Sequence, residues 1–262
     1  MSTLNVTIVQ ADLHWHDASA NRLTIGQMLE ELTDTTDLIV LPEMFTTGFT
    51  MDAPAQAETM NGASVNWMSQ LAHEKNASVC GSLIIEENGE YFNRFICVSP
   101  AGGIVEYDKR HLFRLADEHK HFSPGSNFVT FEINGWRICP MICYDLRFPA
   151  WSRNRNDYDL LLYVANWPNR RHLAWETLLR ARAIENLSYV AGVNRTGFDG
   201  NELPYDGGSA IIDFLGQDVE NLGKAVGLTT ATLDLDKLNV FRERFAFDKD
   251  ADIFSIDARD EN

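Results

Sequence analysis

Apolar and polar positions alternate along the chain in short blocks, some with a period of two and some with a period near that of a helix, which predicts a mixed α/β protein. Residues 4–11 alternate and read as a strand. Residues 21–32 place Leu23, Ile25, Met28, Leu29 and Leu32 at helical spacing. The apolar run 37–42, bounded by polar residues, suits a buried strand. Residues 64–75 read as a helix with Ser64 as its cap, followed by strands at 78–85, 91–99 and 104–107, separated by the turns Glu87-Asn88-Gly89 and Ala101-Gly102-Gly103. A hairpin is expected over 128–133 and 137–142 around Asn134-Gly135, then a helix from about Pro149, a strand at 160–165 and a helix at 172–187. Strands at 189–194, 208–214 and 229–235 and a helix at 236–245 complete the set. The sum is about ten or more strands and about five helices.

Residues 109–126 break the pattern. They form a long polar connection rich in His, Arg and Lys that ends in Ser123-Pro124-Gly125, and loops of this kind are often functional. Elsewhere the familiar signatures are missing: no G-x-S-x-G, no G-x-G-x-x-G after a strand, no phosphate loop and no H-E-x-x-H. The histidines read as exposed or loop-structural. Cys80, Cys97, Cys139 and Cys143 are too few for a disulfide scaffold, and they form neither a C-x-x-C pair nor a zinc-binding spacing.

Three segments carry candidate chemistry. In the segment 137–149 an apolar strand ends at Cys143, a polar turn follows, and a helix is expected at Pro149. A cysteine so placed projects above the sheet edge, where turn N–H groups can stabilise an oxyanion and a helix N-terminus lowers a thiol pKa. A small buried side chain is the competing reading, and Pro140 within the strand removes one ladder donor. Glu43 directly follows an apolar strand, which suits a general base, or equally a solvated loop residue. Lys109 opens a run of cations that is either functional or simply a charged loop face.

Taken together, Leu38-Ile39-Val40-Leu41-Pro42-Glu43, Tyr107-Asp108-Lys109-Arg110-His111-Leu112 and Cys143-Tyr144-Asp145-Leu146-Arg147-Phe148-Pro149 resemble the nitrilase superfamily over nearly the whole chain. That resemblance implies a Glu43–Lys109–Cys143 triad, with Glu118 ahead of the Pro-Gly turn as the family's second glutamate. It implies a four-layer α-β-β-α sandwich, a homodimer and no cofactor. Tyr144-Asp145, Ala165-Asn166-Trp167-Pro168 and the segment 180–186 resemble the omega-amidase branch rather than true nitrilases, which usually carry Trp-Glu after the cysteine. The segments 241–245 and 248–252 also fit that branch, although Ala246 stands where a proline is common. The implied substrates are small omega-amides of 2-oxo dicarboxylic acids, 2-oxoglutaramate and 2-oxosuccinamate, hydrolysed through a thioester. N-carbamoyl amino acids and deaminated glutathione are the alternatives, and a non-catalytic binding module is a remote one. A substrate carboxylate needs a cation in the pocket, for which Arg147 and Arg114 are candidates, with Phe49, Tyr144 and Trp167 as walls.

Composition narrows this picture. With 262 residues, 45% hydrophobic and 23% charged, the chain is of ordinary globular type, expected as one carbon–nitrogen hydrolase domain over 1–262. A formal charge of −16 counts against nucleic acid and anionic membranes as partners. Neither a signal-like N-terminus nor a membrane-length apolar run is evident, so a cytoplasmic protein is expected.

Overall fold

The computed structural model describes residues 2–256; Met1 and 257–262, part of the expected domain range, lie outside the described residues. Two six-stranded sheets form the centre. Strands are numbered in chain order. The first sheet contains β1 (Thr3–Gln10), β2 (Leu38–Val40), β3 (Ser78–Glu87), β4 (Glu90–Val98), β5 (Ile104–Asp108) and β14 (Gly227–Asp234), in the order β14-β1-β2-β3-β4-β5. The second contains β6 (Phe131–Ile133), β7 (Trp136–Ile142), β8 (Leu160–Val164), β9 (Tyr189–Val193), β12 (Ala210–Ile212) and β13 (Asp218–Asn221), in the order β13-β12-β9-β8-β7-β6. A separate ribbon pairs β10 (Thr196–Phe198) with β11 (Pro204–Asp206).

Each large sheet has a parallel centre, β1-β2-β3 and β7-β8-β9, flanked by antiparallel strands. Parallel neighbours need crossovers; helices supply those from β1 to β2, β2 to β3 and β8 to β9, while β7 reaches β8 through a 3₁₀ turn and irregular chain. Helices α1 (Ala18–Glu30) and α3 (Ala63–Lys75) cover the first sheet, and α4 (His172–Asn186) covers the second. The pleat explains the layering. In the apolar run 38–41, Leu38 and Val40 pack toward the second sheet while Ile39 and Leu41 pack under α1 and α3. The expected α-β-β-α sandwich is what the structure shows.

The hairpin turns follow their sequences. Asn88-Gly89 and Asn134-Gly135 both have positive φ, as two-residue hairpin loops require. Pro140 also finds its reason. Strand β6 pairs β7 only from Trp136 to Ile138, so from Cys139 onward β7 is paired on one side alone, a setting that tolerates proline.

Some expectations fail. No α-helix starts at Pro149; a 3₁₀ turn spans Cys143–Arg147, and residues 149–152 continue as turns. Phe148 is extended ahead of the proline, and the following segment has no apolar period; the Asn154 side chain bonds Asp157 N and Tyr158 O instead. Ser64 is not a cap, because α3 begins after Gly62 and Ser64 hydrogen-bonds Glu58. The last helix, α5 (Leu235–Arg244), starts one residue early, capped by Asp234, whose carboxylate accepts from Lys237 N. The four-residue helix α2 (Ala53–Gln56) and strands β10, β11 and β13 are too short or too polar to read from periodicity.

Candidate active site

Four strand ends meet above the sandwich. Glu43 follows β2, Lys109 follows β5, Cys143 follows β7 and Asn166 follows β8. The first two come from one sheet and the last two from the other.

At the centre, Lys109 Nζ donates to Glu43 Oε1 at 2.9 Å and to Glu118 at 2.9 and 3.0 Å. Lys109 is 1% exposed, and both carboxylates are fully buried. Glu118 sits in a 3₁₀ turn (Glu118–Lys120) within the polar connection and also accepts from Phe113 N. It is therefore no loop carboxylate paired with Lys120, which pairs with Asp117. The glycine that ends the connection is required: a Cβ on Gly125 would lie 2.1 Å from Asp108 O, while Gly125 N donates to Lys109 O.

Electrostatics follow from this packing. Burial opposes the charge on Lys109, but Glu118 and Glu43 outweigh it and raise the lysine pKa, which keeps it cationic. Burial raises the Glu118 pKa against the pull of Lys109. Burial also pushes the Cys143 thiol well up, Glu43 pushes it further, and Lys109 only partly offsets the two. The lowered thiol pKa expected from a helix N-terminus is thus overturned; desolvation and a neighbouring carboxylate dominate a turn only five residues long. Burial and the Glu43 carboxylate thus favour the thiol form of Cys143.

Cys143 itself has φ 45°, in the left-handed region that a side chain enters only under constraint. Its Sγ lies 3.9 Å from Asn166 O. The first N–H groups of such a turn, Tyr144 N–H among them, have no partner within it.

Several supporting side chains escaped the sequence reading. Asn93 Nδ2 donates to Glu43 at 2.8 Å and to Glu118 at 3.3 Å, and its Oδ1 accepts from Ser82 Oγ. Asn166 N donates to Glu43 Oε2 at 2.8 Å. Asp145 takes four hydrogen bonds, from Tyr107 OH at 2.8 Å, His111 N at 3.0 Å, His111 Nδ1 at 2.7 Å and Ile142 N at 3.0 Å. The available signal was a polar residue on an inward strand face: Asn93 lies between Ser82, Phe95 and Cys97 in a sheet that is otherwise apolar there.

The cluster opens into a cavity of about 570 Å³. Phe49, Tyr144, Arg147 and Trp167 line it, as the sequence reading placed them. Arg114 does not: it lies exposed on the 3₁₀ turn Arg114–Ala116, outside the lining. The cations found there instead are Arg170 and Arg171. Among the described residues no cluster of His, Cys, Asp or Glu is placed to hold a metal ion, and no helix is long and apolar enough to cross a membrane.

A buried thiol, a carboxylate to take its proton and a fixed ammonium to meet a developing oxyanion are the equipment of an acyl-transfer hydrolase. The comparisons agree. The carbon-nitrogen hydrolase family model matches residues 5–243. The chain is 47% identical over 257 residues to the omega-amidase YafV of Escherichia coli K12, covering 98% of this chain and 100% of that protein. It is 33% identical to the 2-oxoglutaramate amidase of Bacillus subtilis 168, covering 91% and 93%. The crystal structure of XC1258 from Xanthomonas campestris, a CN-hydrolase superfamily protein with an arsenic adduct in its active site, superposes with a TM-score of 0.96. The two share 44% identity over 98% of this chain and 100% of that one. The chain belongs to the carbon-nitrogen hydrolase family, within the nitrilase superfamily and its omega-amidase branch, and is an amide-hydrolysing enzyme.

Proposed function

We propose that this enzyme is an omega-amidase that hydrolyses the terminal amide of small 2-oxo dicarboxylic acid monoamides, 2-oxoglutaramate and 2-oxosuccinamate. The observation that carries the chemistry is the ammonium of Lys109 held between Glu43 and Glu118 beside Cys143. The likeness to an omega-amidase and a 2-oxoglutaramate amidase supports the substrate class.

In this reading Glu43 takes the Cys143 thiol proton as sulfur attacks the amide carbon. Lys109 and Tyr144 N–H receive the oxyanion. The tetrahedral adduct collapses, the C–N bond breaks, and the proton held by Glu43 leaves with ammonia, giving a thioester. Water then gives its proton to Glu43 and attacks the thioester; the C–S bond breaks, Glu43 returns the proton to the leaving Cys143 sulfur, and the acid departs. Glu118 and Asn93 hold Lys109 and Glu43 in register throughout.

Two further expectations accompany this reading, a homodimer and a cytoplasmic setting. All four cysteines are unpaired, as a reducing compartment favours. Leu173 and Ile184 stand exposed on one face of α4, where a second copy would cover apolar surface.

The direct test is ammonia release from 2-oxoglutaramate, 2-oxosuccinamate, N-carbamoyl-β-alanine, glutamine and simple nitriles. The oxo-acid amides should be turned over at least about tenfold more efficiently than the rest. A preference for the carbamoyl compound would replace this substrate assignment.

Asp145 offers a second check. It ties Tyr107 and His111, which flank Lys109, to Ile142, which precedes Cys143. Asp145→Asn turns an acceptor into a donor facing other donors and should cost about 1–3 kcal/mol of stability. A kcat decrease of about 10- to 100-fold with little change in KM is expected, because the lysine and the thiol lose their mutual placement. Unchanged kcat in a folded variant would show that the tie has no bearing on turnover.

A further inference from the structure

An acidic chain usually spends its arginines on carboxylates, and much of this one does. Arg94, Arg137, Arg180, Arg195 and Arg242 each hold an Asp or Glu. The cavity beside Cys143 is the exception. Arg147, Arg170 and Arg171 line it, and among the described residues none of them reaches a carboxylate within ion-pair distance. Of the two acidic residues in the lining, Asp199 is used up within the β10–β11 connection, accepting from Asn201 N, Leu203 N and Tyr205 OH, and Asp52 is exposed.

Arg171 is the half-buried member of the three; Arg147 and Arg170 are exposed. Its guanidinium lies 5.0 Å from the centroid of Phe113, a stacking that orients the fork. Its backbone is fixed as well: Trp167 Nε1 donates to Arg171 O at 2.8 Å, and Arg171 N donates to Pro168 O. The same short segment begins with Asn166, whose N–H holds Glu43. One stretch of chain therefore sets the separation between the proposed base and this cation. Burial and the nearby charges of Arg170 and Arg147 work against the charge on Arg171. A bound anion would relieve that opposition.

Building on the omega-amidase reading, we propose that Arg171 is a specificity-determining residue that receives the substrate carboxylate remote from the scissile amide, with Arg147 and Arg170 adding to the local positive field. A guanidinium fork matches a carboxylate in two parallel hydrogen bonds, and a site built for that contact disfavours amides lacking it.

Two measurements test the assignment. In the first, Cys143→Ala, which binds without turnover, is titrated calorimetrically with 2-oxoglutarate, the dianion product. Adding Arg171→Gln should weaken binding about 30- to 100-fold, and Arg171→Lys should recover part of the loss. In the second, made in the enzyme with its thiol intact, the ratio of kcat/KM for 2-oxoglutaramate over that for pentanamide should fall about 100-fold on Arg171→Gln. Dianion binding that is absent, or that is indifferent to Arg171→Gln, overturns the proposal, as does an unchanged ratio. If the wild-type enzyme hydrolyses neither oxo-acid amide, the substrate assignment fails, and the calorimetry decides the role of Arg171 by itself.

Discussion

Cys143→Ala is expected to release ammonia from 2-oxoglutaramate at least about 10⁴-fold more slowly than the wild-type enzyme. The cavity lining holds no other thiol and no serine, and its single hydroxyl-bearing aliphatic side chain is Thr50. Water activated by Glu43 would have to attack the amide directly, without the covalent step that makes expulsion of ammonia easy. The fold should hardly notice the change. Cys143 is 9% exposed and its contact with Asn166 O is a weak 3.9 Å one, so a stability change within about 1 kcal/mol is expected. Alanine also leaves the left-handed backbone at this position as constrained as before. Steady-state ammonia release and a thermal melt, taken together, settle the matter. Turnover within tenfold of wild type would end the proposed role of the thiol.

Lys109→Met is expected to damage both function and stability. The oxyanion loses a buried donor, worth about 3–4 kcal/mol of barrier, so kcat should fall by about two to three orders of magnitude. The fold loses the ammonium that Glu43 and Glu118 share, leaving two carboxylates in a fully buried site with Asn93 as their common remaining donor. Breaking a buried pair in this way costs about 3–5 kcal/mol. The pH dependence gives the sharper signature. Burial already raises the Glu118 pKa with the lysine present, and Lys109 opposes that shift. Removing Lys109 raises it further. A carboxyl group whose folded pKa lies above its unfolded one stabilises the fold when protonated, and that contribution is lost as pH rises through the folded value. The variant should therefore melt at a higher temperature near pH 5 than near pH 8, by more than wild type does. Equal melting temperatures at the two pH values would mean that the two carboxylates are not coupled through this lysine.

The sandwich and its reacting groups were legible for different reasons. The strands 37–42, 160–165 and 189–194 declared themselves as largely apolar runs, as strands buried on both faces must be, and 4–11 by its alternation. Glu43 and Cys143 each follow a buried apolar strand and Lys109 follows the partly exposed edge strand β5, all where the chain turns out of the sheet, and their order along the sequence matched a known family. What stayed hidden depends on contacts distant in sequence. Asn93 is an ordinary polar residue in a strand that also carries Glu90 and Arg94 until Glu43, 50 residues earlier, is seen beside it. Asp145 stands two residues before Arg147 in the sequence, yet its carboxylate turns inward to Tyr107 and His111. Arg114 and Arg171 are equally cationic on paper; only the course of the 3₁₀ turns sends one to solvent and the other into the cavity. The helix expected at Pro149 is absent for a local reason, since proline starts helices only where the residues after it can continue one.

The reacting groups are delivered by strand ends from both sheets, Glu43 and Lys109 from one and Cys143 and Asn166 from the other. No single layer of the molecule therefore contains the site. The distance between thiol and base is set by the thickness of the apolar filling between the sheets, residues such as Val6, Ile8, Val40, Ile138 and Leu160 that never meet substrate. The core thus serves as a spacer gauge for the chemistry, and a change of one methylene deep within it reaches the substrate as a change of aim.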